Sequence, residues 1–371
     1  MKLLRILLFL PLAAMLSGCR HGSVSSGNDV GDTLNIHYSE LLQMVHYPDY
    51  WLVSIKNPWH KEQILHTYML VNRSDSAAVE PLSGATTVYL PVERSVVFTT
   101  AHCQLLYWLQ AEEAIKGVCD LKYIHIPNIG KRVVDCGDGM LPMVERIAEL
   151  QPQALLVSPF ENSGGYGRLE NIGTPLVETA DYMETSSLGR AEWMRFYGLL
   201  YGREKQADSL FQVVENSYKS LKQQAERLPK GRSLLTERKT GSVWYVPGGR
   251  SSLAITLSDA NAGYAFSADG HSGSLALSFE EVLDKAGQSD AWLIKYNGHK
   301  PFTRADLLAE FHGYKAMKAW QTGEVYACDT ERKRYFEEVS FRPDYLLKEV
   351  ILLAHPELMK GDSLRYYERL Q

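Results

Sequence analysis

The chain has 371 residues, 45% of them hydrophobic and 11% aromatic, which is ample for a sizeable folded core and excludes a disordered polypeptide. A formal net charge of −5, with no basic stripe, argues against nucleic acid as a partner. A body of this length usually divides into two lobes.

The first residues carry their own signal. Met1-Lys2-Leu3-Leu4-Arg5 is a short basic start, residues 6–15 are apolar apart from Pro11, and Leu16-Ser17-Gly18-Cys19 closes the run. A secretory signal has this three-part form, and the apolar stretch is too short to span a bilayer as a mature helix. The ending resembles a bacterial lipoprotein box, whose cysteine is acylated and becomes the new N-terminus. Residues 1–19 are therefore expected to be signal and lipobox, with Cys19 the lipidation site. Each buried methylene adds about 0.8 kcal/mol of membrane affinity, so several acyl chains anchor a soluble body firmly. Residues 20–34, rich in Ser, Gly and Asn, read as a flexible tether. Cys103, Cys119, Cys136 and Cys328 fit no common zinc or redox spacing. Export permits a disulfide among the nearer three, and buried free thiols are the other reading.

Residues 35–91 read as short β segments, with strands at 50–55 and 67–71 separated by Asn-Pro and Asn-Arg-Ser-Asp turns. They are expected to pack as an extension on an N-lobe of residues 92–185. There, strand-like runs at 95–100, 118–126, 132–136 and 154–158 alternate with helical spacing at 101–109 and 142–150. Such alternation predicts a mostly parallel sheet flanked by helices. Residues 186–229 form the interlobe helix: Trp193, Phe196, Tyr197, Leu200, Leu210, Val213, Val214, Tyr218 and Leu221 recur every three or four positions, with Tyr201-Gly202 the place for one break. The C-lobe, residues 230–371, repeats the alternation, with strands at 233–235, 242–246 and 291–294 and helices at 251–263 and 278–286. Its last part, 304–370, is mostly helical, with one strand at 324–328. The fold class is α/β: two lobes, each a mostly parallel sheet flanked by helices, joined by one long helix, with extra N-terminal β segments. Similar helix–strand units at 144–157 and 279–294 fit either a duplicated lobe or convergent patterning.

Several blocks make the chain more specific. They are Thr99-Thr100-Ala101-His102, Val134-Asp135-Cys136-Gly137-Asp138-Gly139-Met140 leading to Glu145, Asn171-Ile172-Gly173-Thr174-Pro175-Leu176-Val177, the long central helix, Trp244-Tyr245-Val246-Pro247-Gly248-Gly249-Arg250-Ser251, and Leu277-Ser278-Phe279-Glu280. In this order, from about residue 33 to the end, the chain resembles the substrate-binding lipoproteins of iron-complex (siderophore or haem) and cobalamin ABC importers. The resemblance implies two lobes on a single helix, ligand held between them, and small hinge motion. It also implies a carrier that delivers an iron chelate, haem or corrinoid to an ABC permease of the inner membrane. Such a carrier works on the periplasmic side of a bacterial membrane, as a lipid-anchored monomer with no catalytic cofactor. One surface glutamate per lobe then pairs with permease arginines, and the matching positions are Glu145 and Glu280. Both sit near helix starts, where the helix dipole favours a carboxylate.

Large chelates present flat organic surfaces and anionic oxygens, which suit aromatic side chains and arginine respectively. Ligands of α/β sheets bind beyond the carboxyl ends of the strands. That rule selects Thr99, Thr100 and His102; then Phe160, Glu161, Asn162 and Tyr166; then Trp244, Tyr245, Gly249, Arg250 and Ser251; and last Lys295, Tyr296 and Asn297. Trp244 and Tyr245 alternate across one strand, so one of them is core. His102 has the alternative of a hydrogen bond to a neighbouring carbonyl, and Gly248-Gly249-Arg250-Ser251 that of a turn and helix cap. Arg332-Lys333-Arg334 reads as a solvated face. An exported enzyme is the weaker alternative, because no Gly-x-Ser-x-Gly, His-Glu-x-x-His or phosphate loop occurs. A carrier of a free transition-metal ion would need more His and carboxylate ligands than stand beside His102.

Overall fold

The computed structural model of the protein describes residues 31–161, 165–298, 300–359, 361 and 363–371. The expected signal, Cys19, most of the tether, and Asn162 lie outside the described residues.

The first element is a five-stranded sheet. Strands β1 (Asp32–Thr33), β2 (Leu42–His46), β3 (Tyr50–Lys56) and β4 (Ile64–Asn72) run antiparallel, and β5 (Thr86–Leu90) adds parallel to β4. Alternate residues along these strands, among them Leu42, Met44, Val53, Ile55 and Val88, enter the apolar core. The extension is also fixed at its root by buried carboxylates. Glu192 accepts the amides of His37 (3.0 Å), Tyr38 (2.7 Å) and Ser39 (3.0 Å). Glu184 accepts those of Glu40 (3.0 Å) and Leu41 (3.1 Å), together with the Trp193 indole N–H at 2.8 Å. Charged acceptors make each of these bonds stronger than a neutral one.

The N-lobe contains β6 (Ser95–Val97), α1 (Thr100–Trp108), β7 (Ile115–Val118), β8 (Val134–Asp135), a hairpin of β9 (Gly137–Asp138) and β10 (Leu141–Pro142), α2 (Val144–Glu149), β11 (Ala154–Val157) and β12 (Leu176–Glu178). Its sheet has the order β12-β11-β6-β7-β8, every pair parallel. Both faces are apolar. Val97, Val118 and Leu156 pack with the α1 residues Leu105 and Leu106, while Val96, Leu155 and Val157 pack with Ile147 of α2. A parallel sheet covered on both sides needs strands of this near-continuous Val/Leu character.

The interlobe segment is not one continuous helix. It comprises α3 (Ser187–Glu192), α4 (Met194–Tyr201) and α5 (Glu204–Glu226). The break falls at Gly202, whose φ of 63° lies in the left-handed region where glycine carries no side-chain penalty. Beside it α4 packs closely on α5: a Cβ at Gly198 would lie 2.5 Å from that of Ala207. The spine proper is α5, 23 residues and so roughly 35 Å long. Its buried Ala207, Phe211, Val214, Tyr218 and Ala225 form one stripe.

The C-lobe contains β13 (Leu234–Thr236), β14 (Lys239–Thr240), β15 (Val243–Pro247), α6 (Ser252–Asp259), β16 (Ser274–Leu277), α7 (Phe279–Ala286), β17 (Ala291–Tyr296), α8 (Arg304–Glu310), α9 (Lys318–Thr322), β18 (Val325–Asp329), α10 (Tyr335–Glu338), α11 (Pro343–Ala354) and β19 (Glu368–Arg369). Strands β13-β17-β18 are parallel, and β19 closes the edge antiparallel. Strands β14-β15-β16 form a separate antiparallel sheet. Helix α6 stops well short of residue 263, because Asn261 takes a left-handed φ of 53° and its amide group turns to cap the Leu228 carbonyl at 3.0 Å. Cys103, Cys119, Cys136 and Cys328 are buried free thiols. Burial pushes the thiol of Cys136 up to about 11 and that of Cys328 up to about 12, so neither is a reactive thiolate at neutral pH.

Candidate functional site

The parallel strands of both lobes release their carboxyl ends at the seam between them. From the N-lobe, β6 runs into Phe98-Thr99-Thr100. Thr99 caps α1, its hydroxyl accepting the His102 amide at 3.3 Å. From the C-lobe, β17 ends at Tyr296 and is followed by Asn297, and β18 ends at Asp329 and leads through Thr330 toward α10. The two sides are bound together at the backbone of His125. Its amide donates to Glu337 Oε1 at 2.9 Å, and its carbonyl accepts from Arg334 Nη2 at 3.1 Å. Burial raises the Glu337 carboxyl above the ordinary range, against the lowering effect of that amide.

Three cavities of about 240, 310 and 350 Å³ lie along this seam. Thr99, Thr100, Asp120 and Tyr123 line them from the N-lobe, and Lys295, Asn297, Thr330 and Arg334 from the C-lobe. The most organised group is a buried relay. His102 Nε2 lies 2.9 Å from Asp181 Oδ1, and Arg190 Nε donates to Asp181 Oδ2 at 3.0 Å. Burial opposes ionisation of Asp181, but His102 and Arg190 outweigh it and hold the carboxyl below its usual range. Asp181 is 1% exposed and Arg190 31%. The relay therefore fixes a guanidinium at the cleft wall with its Nε committed to protein. That arrangement suits an anion, since the rest of the fork remains to donate.

The structure separates the residues that strand ends select. Thr99, Thr100, Lys295 and Asn297 line the seam. His102 reaches it from below: it is 2% exposed and its bond goes to the Asp181 carboxylate rather than to a carbonyl. Phe160 is exposed nearby without lining these cavities, and Glu161 precedes residues that are not described. The remaining strand-end residues stand apart from these cavities. Trp244 is fully buried in the C-lobe between Phe279, Trp292 and Tyr314, with its indole N–H on the Thr236 carbonyl at 3.1 Å. Tyr245 points from the opposite face of β15, half exposed and outside the cavities. Tyr166 binds Glu178 through its hydroxyl at 2.9 Å, toward the extension rather than the seam. Tyr296 is buried against Phe302 and accepts that residue's amide at 3.3 Å. Ser251 is the cap of α6, accepting the Ala254 amide at 3.2 Å. Arg250 is an exposed turn residue whose amide bonds the His271 carbonyl at 3.0 Å. A Cβ at Gly249 would sit 2.4 Å from the Asp269 carbonyl, so this glycine serves loop packing.

Sequence reasoning misses Arg190, Tyr182, Tyr123, Arg334 and Phe336. Arg334 sits within a charge run whose other members are paired: Arg332 with the buried Asp329 at 2.6 Å, Lys333 with the exposed Glu368 at 2.6 Å. The signal that finds it is the strand-end rule applied to β18.

Glu145 stands exposed in the first turn of α2 and pairs with Arg168; its own backbone amide and then Arg168 hold its carboxyl below the usual range. Glu280 is exposed in the first turn of α7. Its neighbour Glu281 is taken up by the Ser278 capping box, accepting the Ser278 amide at 2.7 Å.

An uncharacterized lipoprotein of Methanocaldococcus jannaschii is 22% identical over 99% of this chain and 96% of its own length. A periplasmic heme-binding protein from Roseiflexus sp. RS-1 superposes with a TM-score of 0.59 at 21% identity, covering 71% of this chain and 98% of that one. The triscatecholate siderophore binding protein of Bacillus subtilis does so with a TM-score of 0.58 at 17% identity, covering 75% and 98%. These structures share the two-lobed fold. A family model for periplasmic binding proteins matches residues 96–331, and the chain belongs to that family.

Proposed function

We propose that this protein is a membrane-anchored extracytoplasmic substrate-binding protein that captures an anionic iron chelate of siderophore type, or a related tetrapyrrole, and delivers it unaltered to an ABC permease. The observation that carries this reading is the Arg190 guanidinium held at the seam by the buried Asp181–His102 pair. Arg334 from the C-lobe and the exposed aromatics Tyr123 and Tyr182 line the same seam. Positive forks and aromatic faces are what a chelate with anionic oxygens and flat organic arms needs. The solved neighbours named as heme- and siderophore-binding proteins support the ligand class, and the relative named as a lipoprotein supports an anchor at Cys19.

Delivery requires a docking face. Glu145 and Glu280, both exposed at helix starts, are the candidates to exchange water or a weak partner for permease arginines. The test is a titration of the purified protein with ferric tris-catecholate, ferric trihydroxamate, haemin and free ferric ion. Saturable one-to-one binding of a chelate without turnover supports the proposal. Tight binding of the bare ion alone, or chemical change of the chelate, overturns it.

A further inference from the structure

We propose that Phe336 is a partition that sets the size of cargo the interlobe cleft admits; this rests on the reading of the cleft as the cargo site. Phe336 lies on α10, a helix of four residues. The other residues of α10 are committed elsewhere. Tyr335 is buried, with its ring against Tyr366 and Tyr367. Glu337 crosses to the His125 amide, and Glu338 accepts from Arg365 at 2.8 Å and from the Tyr366 hydroxyl at 3.0 Å. Phe336 alone of the four is exposed, at 55%.

Its position explains that exposure. Arg190 lines two of the three seam cavities, as do Tyr335 and Ser340. Among the described residues Phe336 is the one that lines all three. The ring therefore stands where the three spaces meet. Separately they lie at or below the low end of the roughly 300–1,000 Å³ of small-molecule sites; without the ring they join. The wall is firm because α10 is tied to both lobes, so the backbone cannot withdraw without breaking the His125–Glu337 bond. Size selection then falls to the side chain itself. A hydrophobic wall of this kind discriminates ligands by about 10–200-fold.

The test uses the full chain and 8-anilinonaphthalene-1-sulfonate, an anionic aromatic probe whose emission rises in apolar surroundings. Wild type, Phe336→Ala and Phe336→Trp are titrated, with melting temperatures taken to verify folding. The partition predicts that Phe336→Ala binds the probe about tenfold more tightly and Phe336→Trp more weakly than wild type. Unchanged affinity in both variants overturns it. So does weaker binding by Phe336→Ala, which would make the ring a contact surface instead. Iron chelates run in parallel address the broader reading separately: if none binds wild type or Phe336→Ala, the cargo class is wrong, while the probe still decides whether the ring divides the cleft.

Discussion

Arg190 commits its Nε to Asp181 and leaves the remainder of its fork at the cleft wall. Substituting Arg190 with Ala should weaken chelate binding by roughly 10–100-fold, the range of a lost charge-assisted contact. Lysine should restore only part of this, since it keeps the charge without the planar fork. Fluorescence titration reads both, and unchanged affinity in the alanine variant would remove Arg190 from the site. Glu337 allows a second prediction. Its folded-state pKa is raised by burial, so the ionised form is disfavoured in the folded protein. Its contribution to stability is therefore greatest below its unfolded value and declines as pH rises through the folded one. Glu337→Gln keeps an acceptor for the His125 amide and removes the charge. It should be more stable than wild type at neutral pH, with the difference vanishing in acid; thermal melts across that window that run parallel would contradict this.

Among the elements, the extension is coupled to α3 and the residues just before it through two carboxylates, Glu192 and Glu184. Glu192 is fully buried and satisfies three successive amides of residues 37–39. Glu192→Ala leaves those donors without a charged partner and should cost about 3 kcal/mol or more, read as a lower melting temperature and early amide exchange in residues 37–41. Retained protection there would mean that the sheet's apolar face alone holds the extension. This coupling is not legible in the sequence, because a glutamate on an amphipathic helix gives no sign of where its carboxylate goes. The position of Thr99 and Thr100 is legible, since chain direction alone puts them at a strand's carboxyl end. Trp244 and Tyr296 mislead the same rule. Alternation tells that two side chains oppose each other, but not that α7 and the Tyr314 turn cover one face while Phe302 covers the other ring. The break at Gly202 is legible as a place, whereas the close packing of α4 on α5 depends on a long-range fit at Gly198.

As a whole, the five-stranded extension and the two lobes share one large apolar core, with a second, smaller cluster on the α2 face of the N-lobe sheet. Anchor and docking face belong to this scale. Cys19→Ser should move the protein from the membrane to the soluble fraction; persistent membrane association would remove the lipid anchor. Glu145→Ala with Glu280→Ala should abolish uptake and leave ligand affinity intact, whereas a loss of affinity would assign these carboxylates to the cleft. The most direct test of the central claim is equilibrium titration of the wild-type chain with the chelate panel, followed by mass spectrometry of the recovered ligand. The account predicts that one chelate class saturates a single site and returns unchanged, and that Arg190→Ala abolishes most of that affinity. Absence of saturation by every member, or recovery of a chemically altered ligand, would contradict it.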